Sequence, residues 1–123
     1  MRKVVLGKSG LEVSAVGFGA IPIQRVSHDD AVAALQRAFE LGVNFVDTAD
    51  SYSDSQRKIG QAIKGRRDEF VLASKGGAGS KQGMIDQIDN SLVEMGVDYI
   101  DLYQFHNIGY AEKWEQITAP GGA

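Results

Sequence analysis

Four side chains of this 123-residue sequence form a set capable of acid–base chemistry: Asp47, Tyr52, Lys75 and His106. Asp47, Lys75 and His106 each close an apolar, β-prone segment (Asn44–Asp47, Glu69–Lys75 and Tyr99–His106), and Tyr52 follows Asp47 by five residues. A phenol, with a reference pKa near ~10, is a poor proton donor at neutral pH, and an ammonium held close favours its ionised form. Lys75 is the candidate for that role beside Tyr52, with Asp47 holding Lys75 charged and in position. His106 would orient a carbonyl oxygen or relay the proton. A tuned tyrosine of this kind suits protonation of an alkoxide as a hydride arrives at carbon. Taken singly, each residue has a plainer reading: Asp47 as a helix cap, Lys75 as a solvated loop lysine, His106 as a structural hydrogen-bonding group. The weight lies with the set.

Their spacing implies the elements that carry them. The three segment ends lie 28 residues apart (47 to 75) and 31 apart (75 to 106), about the ~30 residues of one βαβ unit. Val13 to Ala20 is a candidate first strand one unit upstream. Helical patterns fill the gaps. Ser27 with Asp30 opens one in a capping-box-like arrangement, and Val32, Leu35 and Phe39 share its face before Gly42. A shorter one carries Ile59 and Ile63 and stops at Gly65. A third runs from about Lys81, with Ile85, Ile88, Leu92 and Met95 on one face, to Gly96. Strands alternating with such helices predict parallel βαβ units. Val4–Leu6 and Leu11–Val13, separated by Gly7-Lys8-Ser9-Gly10, predict a β-hairpin ahead of them. The predicted fold class is thus α/β, an N-terminal β-hairpin followed by about four βα units, in a single partial domain over residues 1–123. The segment after Ile108 ends in Ala119-Pro120-Gly121-Gly122-Ala123, a breaker cluster rather than a finished helix. In a parallel βα architecture the C-terminal strand ends converge on one pole, where active sites assemble.

Composition narrows the function. Thirteen Lys and Arg against sixteen Asp and Glu give a net charge of −3, with no basic run; a nucleic-acid or membrane-surface partner recruited by charge is not expected. No apolar run approaches the ~20 residues of a membrane span, and the opening apolar run of three is too short for a signal peptide. The absence of cysteine excludes disulfides, thiolate metal sites and cysteine nucleophiles within these residues and points to the cytoplasm. His28 and His106 lack matching carboxylate spacing, so no metal site is expected. Gly7-Lys8-Ser9 lacks the upstream glycine of a P-loop. Gly76-Gly77-Ala78-Gly79 reads as a βα loop beside Lys75, with a phosphate contact as the alternative. Met84 and Met95 fit a core stripe. Tyr110 and Trp114 would wall a substrate pocket or simply pack.

Gly42-Val43-Asn44-Phe45-Val46-Asp47-Thr48-Ala49-Asp50-Ser51-Tyr52 resembles the signature of the aldo-keto reductases, in which a strand ends in Asp-Thr-Ala and a tyrosine follows. Leu72-Ala73-Ser74-Lys75 and the stretch from Gly96 to His106 resemble the strands bearing the family's lysine and histidine. Leu6 to Ser14, running into Gly17-Phe18-Gly19, resembles its hairpin and first strand. The resemblance extends over about Val4 to Ile108. It implies a (β/α)₈ TIM barrel and an NADPH-dependent reduction of a small carbonyl substrate, with Tyr52 as proton donor, Lys75 and Asp47 as its tuning pair and His106 as carbonyl orienter. It also implies cofactor contacts at Gly19, Ala20 and Asp47. Where the family shows Gly-x-Ser-Glu after the tyrosine, this sequence has Ser53-Asp54-Ser55-Gln56. A barrel takes ~250 residues, so four strands of eight are expected here: a truncated half barrel. In the family the other half holds most of the NADPH site. The chain alone is therefore expected to be inactive, and its open sheet edges to favour self-association or a separate C-terminal half. A non-catalytic binding or regulatory module on the same scaffold is the alternative, as is a truncated product without an independent role.

Overall fold

The computed structural model describes residues 1–123. An antiparallel hairpin, β1 (Lys3–Val5) and β2 (Glu12–Ser14), precedes a parallel sheet of β3 (Phe18–Gly19), β4 (Phe45–Asp47), β5 (Val71–Gly76) and β6 (Leu102–Phe105), arranged in that order. Helices α1 (His28–Glu40), α2 (Ser55–Ala62) and α3 (Lys81–Met95) connect the strands, and α4 (Ala111–Thr118) follows β6. Strands in sequence order with one helix between each pair make half of a barrel wall. The sheet stays open, with β3 and β6 as its edges. No helix is long and apolar enough to cross a membrane.

Local chemistry accounts for the elements. The Ser27 hydroxyl accepts from the Asp30 backbone N–H at 3.1 Å and so caps α1. Ala31, Leu35 and Phe39, spaced by four, are buried along one side of it. Gly96 ends α3 in the left-handed region at φ 63°, a conformation that glycine adopts without steric penalty. Leu35, Phe39, Val46, Ile59, Ile63, Phe70, Leu72 and Met95 belong to one core between the sheet and the helices. Because strand side chains alternate, sending Val46 and Leu72 into this core turns Asp47, Ala73 and Lys75 to the opposite, inner face.

Four expectations change in detail. The first strand contracts from Val13–Ala20 to Phe18–Gly19, because Val13 and Ser14 belong to the hairpin. Residues 99–101 do not join β6. There the Asp101 N–H still reaches Leu72 O at 3.1 Å, but the Leu72 N–H is taken by the Asp101 carboxylate at 2.8 Å, which also pairs with Arg67 at 2.6 Å. The buried side of α3 carries Met84, Ser91 and Met95, while Ile85 is exposed. The helix is rotated because polar side chains under it, described below, belong inside. Finally, residues 111–118 do form a helix, with Ile117 buried against the rest of the chain.

Candidate active site

The backbone brings the sequence-selected residues to one pole. Ladder hydrogen bonds continue past the strands: Thr48 N–H to Ala73 O (2.9 Å), Asp50 N–H to Lys75 O (3.0 Å) and His106 N–H to Gly76 O (2.8 Å). The loop after β4 then turns sharply, with Tyr52 N–H on Ala49 O at 3.1 Å and Ser55 N–H on Tyr52 O at 2.9 Å. Tyr52 is thereby swung over the strand ends.

Lys75 is the centre of the cluster. Its Nζ donates to Asp47 Oδ1 at 2.5 Å and to Thr48 O at 2.6 Å, and it lies 5.4 Å from the Tyr52 ring centroid. Its side chain is 16% exposed, so this ammonium is partly withdrawn from water and its pairing with Asp47 is screened less than a surface pair. The His106 ring meets the Tyr52 ring edge-on, centroids 5.6 Å apart. His106 Nδ1 shares a hydrogen bond of 3.3 Å with Ser51 Oγ. All four candidates therefore meet at one place. Of the two residues considered with Asp47 for cofactor contact, Gly19 is exposed and pairs in register with Asp47. Ala20 is fully buried, its N–H given to Asp47 O (2.8 Å) and its carbonyl accepting from Ser55 Oγ (3.1 Å). Ala20 anchors the strand end and shows no surface of its own.

Other residues acquire a structural role that only the fold shows. Beneath the loop lies a polar layer between sheet and helices. Thr48 Oγ1 and Ser55 Oγ are 3.0 Å apart, and Gln56 Nε2 donates to Ser74 Oγ (2.8 Å) and Ser91 Oγ (2.9 Å). Lys58, with a side chain only 2% exposed, donates to Ile23 O, Val26 O and Asp54. Burial pushes the phenol of Tyr103 up from its ordinary range, and its Oη has no hydrogen-bond partner; the nearby Ser91 hydroxyl does not reach bonding geometry. No spacing rule marks a lysine or glutamine on an apolar helix face as buried, so these were not legible.

Beside Lys75 and His106 opens a cleft of about 420 Å³, lined further by Asp50, Ser51, Gly77, Gln87, Asn107 and Lys113. Tyr110 and Trp114, 74% and 55% exposed, line no part of it. A larger hollow of about 590 Å³ lies between α2 and α3, away from the strand-end cluster.

The sequence and the fold both match known proteins. The sequence model of the Aldo/keto reductase family matches residues 15–119. Over 120 residues the chain is 38% identical to L-galactose dehydrogenase of Arabidopsis thaliana, covering 85% of this chain and 38% of that protein. Among solved structures, the aldo-keto reductase AKR11C1 from Bacillus halodurans superposes with a TM-score of 0.82 at 33% identity, over 95% of this chain and 45% of the relative. An aldo-keto reductase from Klebsiella pneumoniae, solved in complex with NADPH, gives 0.78 at 31% identity, over 95% and 45%. The chain thus spans less than half the length of these relatives, which accounts for a barrel wall left open. On its motifs, its strand order and these matches, the chain belongs to the aldo/keto reductase family.

Proposed function

We propose that residues 1–123 form one partial domain that supplies the acid–base half of an NADPH-dependent carbonyl reductase, converting a small carbonyl to an alcohol. The observation that carries this reading is the Lys75 ammonium, set between the Asp47 carboxylate and the Tyr52 ring with His106 edge-on beside them. NADPH, when bound, supplies the hydride. Gly19 and Asp47 fit a contact with it: Gly19 is exposed, the space where a Cβ would stand is open, and the Asp47 carboxylate is its register neighbour on the inner face. The relative solved with NADPH supports this choice of cofactor.

The residues divide the work. His106 donates to and orients the carbonyl oxygen. Tyr52 passes its proton to that oxygen as negative charge develops there, and the positive charge of Lys75 stabilises the phenolate left behind. Asp47 and the Thr48 carbonyl keep Lys75 from swinging into solvent. A cysteine-free chain fits a reducing compartment, and we assign it to the cytoplasm.

The test uses a barrel completed with the C-terminal half of the Bacillus halodurans relative. Tyr52→Phe should lower kcat for aldehyde reduction by about 10²–10⁴-fold, the usual loss with one general acid, and leave NADPH affinity unchanged. Lys75→Met should lower kcat and displace its pH profile. Wild-type turnover by Tyr52→Phe would overturn the assignment.

A further inference from the structure

We propose that Ser51 is a positioning residue for His106: its hydroxyl donates to Nδ1 of the ring and so keeps the ring proton on Nε2, the nitrogen left to meet a carbonyl oxygen. The inference rests on the reductase reading for what His106 does, and on the geometry of the Ser51–His106 pair for how the ring is prepared.

Ser51 and His106 are 55 residues apart and come from two different strand ends, the loop after β4 and the end of β6, with β5 between them. Ser51 Oγ and His106 Nδ1 lie 3.3 Å apart, a long hydrogen bond of the kind that catalytic contacts show before substrate arrives. It is the only hydrogen bond either side chain makes, so Nε2 has no protein partner. Both ends of the contact are held by their neighbours. Asp50 gives its N–H to Lys75 O (3.0 Å), and its carboxylate accepts from Gln87 Nε2 (3.2 Å) and Asn90 Nδ2 (2.9 Å). Tyr52 gives its N–H to Ala49 O at 3.1 Å, so Ser51 sits between two anchored residues. Across from it, the His106 N–H is bonded to Gly76 O at 2.8 Å and the ring meets Tyr52 edge-on. The chain then turns at Asn107, φ 57°, in the left-handed region that asparagine tolerates better than most side chains.

The chemistry selects the direction of this bond. A neutral imidazole has one N–H and one bare nitrogen, and a partner at one nitrogen decides which is which. If Nδ1 donated to Ser51, Nε2 would be bare and would turn a lone pair toward the carbonyl oxygen, which repels it. If Ser51 donates, Nδ1 is the acceptor and Nε2–H is free to give a hydrogen bond to that oxygen. The Ser51 proton has no other acceptor in the chain. A methyl group at position 51 offers the ring nothing and leaves it to exchange between tautomers.

The tautomer is read directly from the ¹⁵N signals of the ring, where bare and protonated nitrogens are well separated. The chain has two histidines, His28 and His106, so His28→Gln leaves His106 as the single imidazole. In the 123-residue chain carrying that change, in alkaline buffer where imidazoles are neutral, Nε2 should be protonated and Nδ1 bare. Ser51→Ala should draw the two signals toward each other as the tautomers mix. Ser51→Thr, which keeps the hydroxyl, should restore their separation. In the completed barrel, Ser51→Ala should lower kcat for aldehyde reduction by about 3- to 10-fold, the size of one hydrogen bond, with NADPH affinity unchanged and Ser51→Thr recovering the rate. A residue that merely stiffens the loop would move the Tm and leave the ring signals where they were. Ring signals unmoved by Ser51→Ala, or a proton on Nδ1 in the parent chain, would overturn this inference whatever the turnover of the barrel. The expected ring signals in a barrel that reduces no aldehyde would count against the reductase reading and for the Ser51–His106 pair.

Discussion

Two lysines withdrawn from water do different work in this chain. Lys75 carries a charge toward the candidate site. Lys58 uses all three of its protons on Ile23 O (2.9 Å), Val26 O (3.0 Å) and Asp54 (2.9 Å), and so pins the segment after β3 to α2. Lys58→Met should cost roughly 2–4 kcal/mol, because two carbonyls lose charge-assisted donors in a place water reaches poorly; the shift of a urea midpoint measures it. The Lys58 hydrogen bond also holds the Asp54 carboxyl below the usual carboxylate range. A depressed folded value contributes stability above the ordinary carboxylate pKa, lost as pH falls through the folded one. The acid limb of the stability profile should therefore flatten in Lys58→Met. Tyr103 behaves oppositely: its Oη is buried without a partner, so Tyr103→Phe should be neutral or stabilising by about 1 kcal/mol. Burial raises the Tyr103 phenol above its ordinary value of 10.0, so its contribution is intact below that value and fades as pH rises from there toward the raised one. Loss of that alkaline fade in Tyr103→Phe, followed by thermal melts, would confirm it. Asp47, Lys75 and His106 were legible because a strand's last polar residue has one place to go in a parallel sheet. Lys58 and Tyr103 were not, because their burial depends on what the neighbouring elements leave unpaired.

The elements follow from patterns the sequence displays openly, except where polar groups are buried. Ser27 and Gly96 mark ends of α1 and α3 where the capping pattern predicts them. The stripe on α3 misleads because Ser91 takes the inner position to meet Gln56, displacing Ile85 outward. Backbone strain is equally hard to see. Ser53 stands where the family pattern has glycine, and its φ is 39°, in the left-handed region. A side chain there costs roughly 1–2 kcal/mol, part of which glycine returns through its greater freedom when unfolded. Ser53→Gly should therefore stabilise the chain by about 1 kcal/mol, visible as a raised Tm. Gly60 presents the reverse case. It sits on α2 where α3 ends, and a Cβ there would collide with the Met95 carbonyl. Since that obstacle is backbone, Gly60→Ala must push the helices apart, at a cost of about 1–3 kcal/mol. A substitution that normally favours helices should here lower the denaturation midpoint.

At the scale of the whole molecule, the governing fact is that four strands build one pole without closing it. β3 and β6 each present an unpaired edge, and such edges pair with whatever complementary strand is available. The four acid–base candidates lie together on this wall, and we expect the grip on a dinucleotide to be shared with the other half of the relatives' barrel. Each absent charge-assisted hydrogen bond removes roughly 1.5–3 kcal/mol. Losing several moves a micromolar site, about −8 kcal/mol, to millimolar or weaker. The 123-residue chain alone should then neither bind NADPH at micromolar concentration nor reduce aldehydes, and a matching C-terminal half should restore both. Nicotinamide fluorescence, titrated across size-exclusion fractions of known mass, separates the outcomes. Tight binding by a monomer would refute the argument, because one wall would suffice. Tight binding confined to a dimer would mean that two copies, joined through β3 and β6, complete a cofactor site between them. Binding that appears only with the C-terminal half would place the missing contacts in that half and leave this chain the proton-handling side of the reaction.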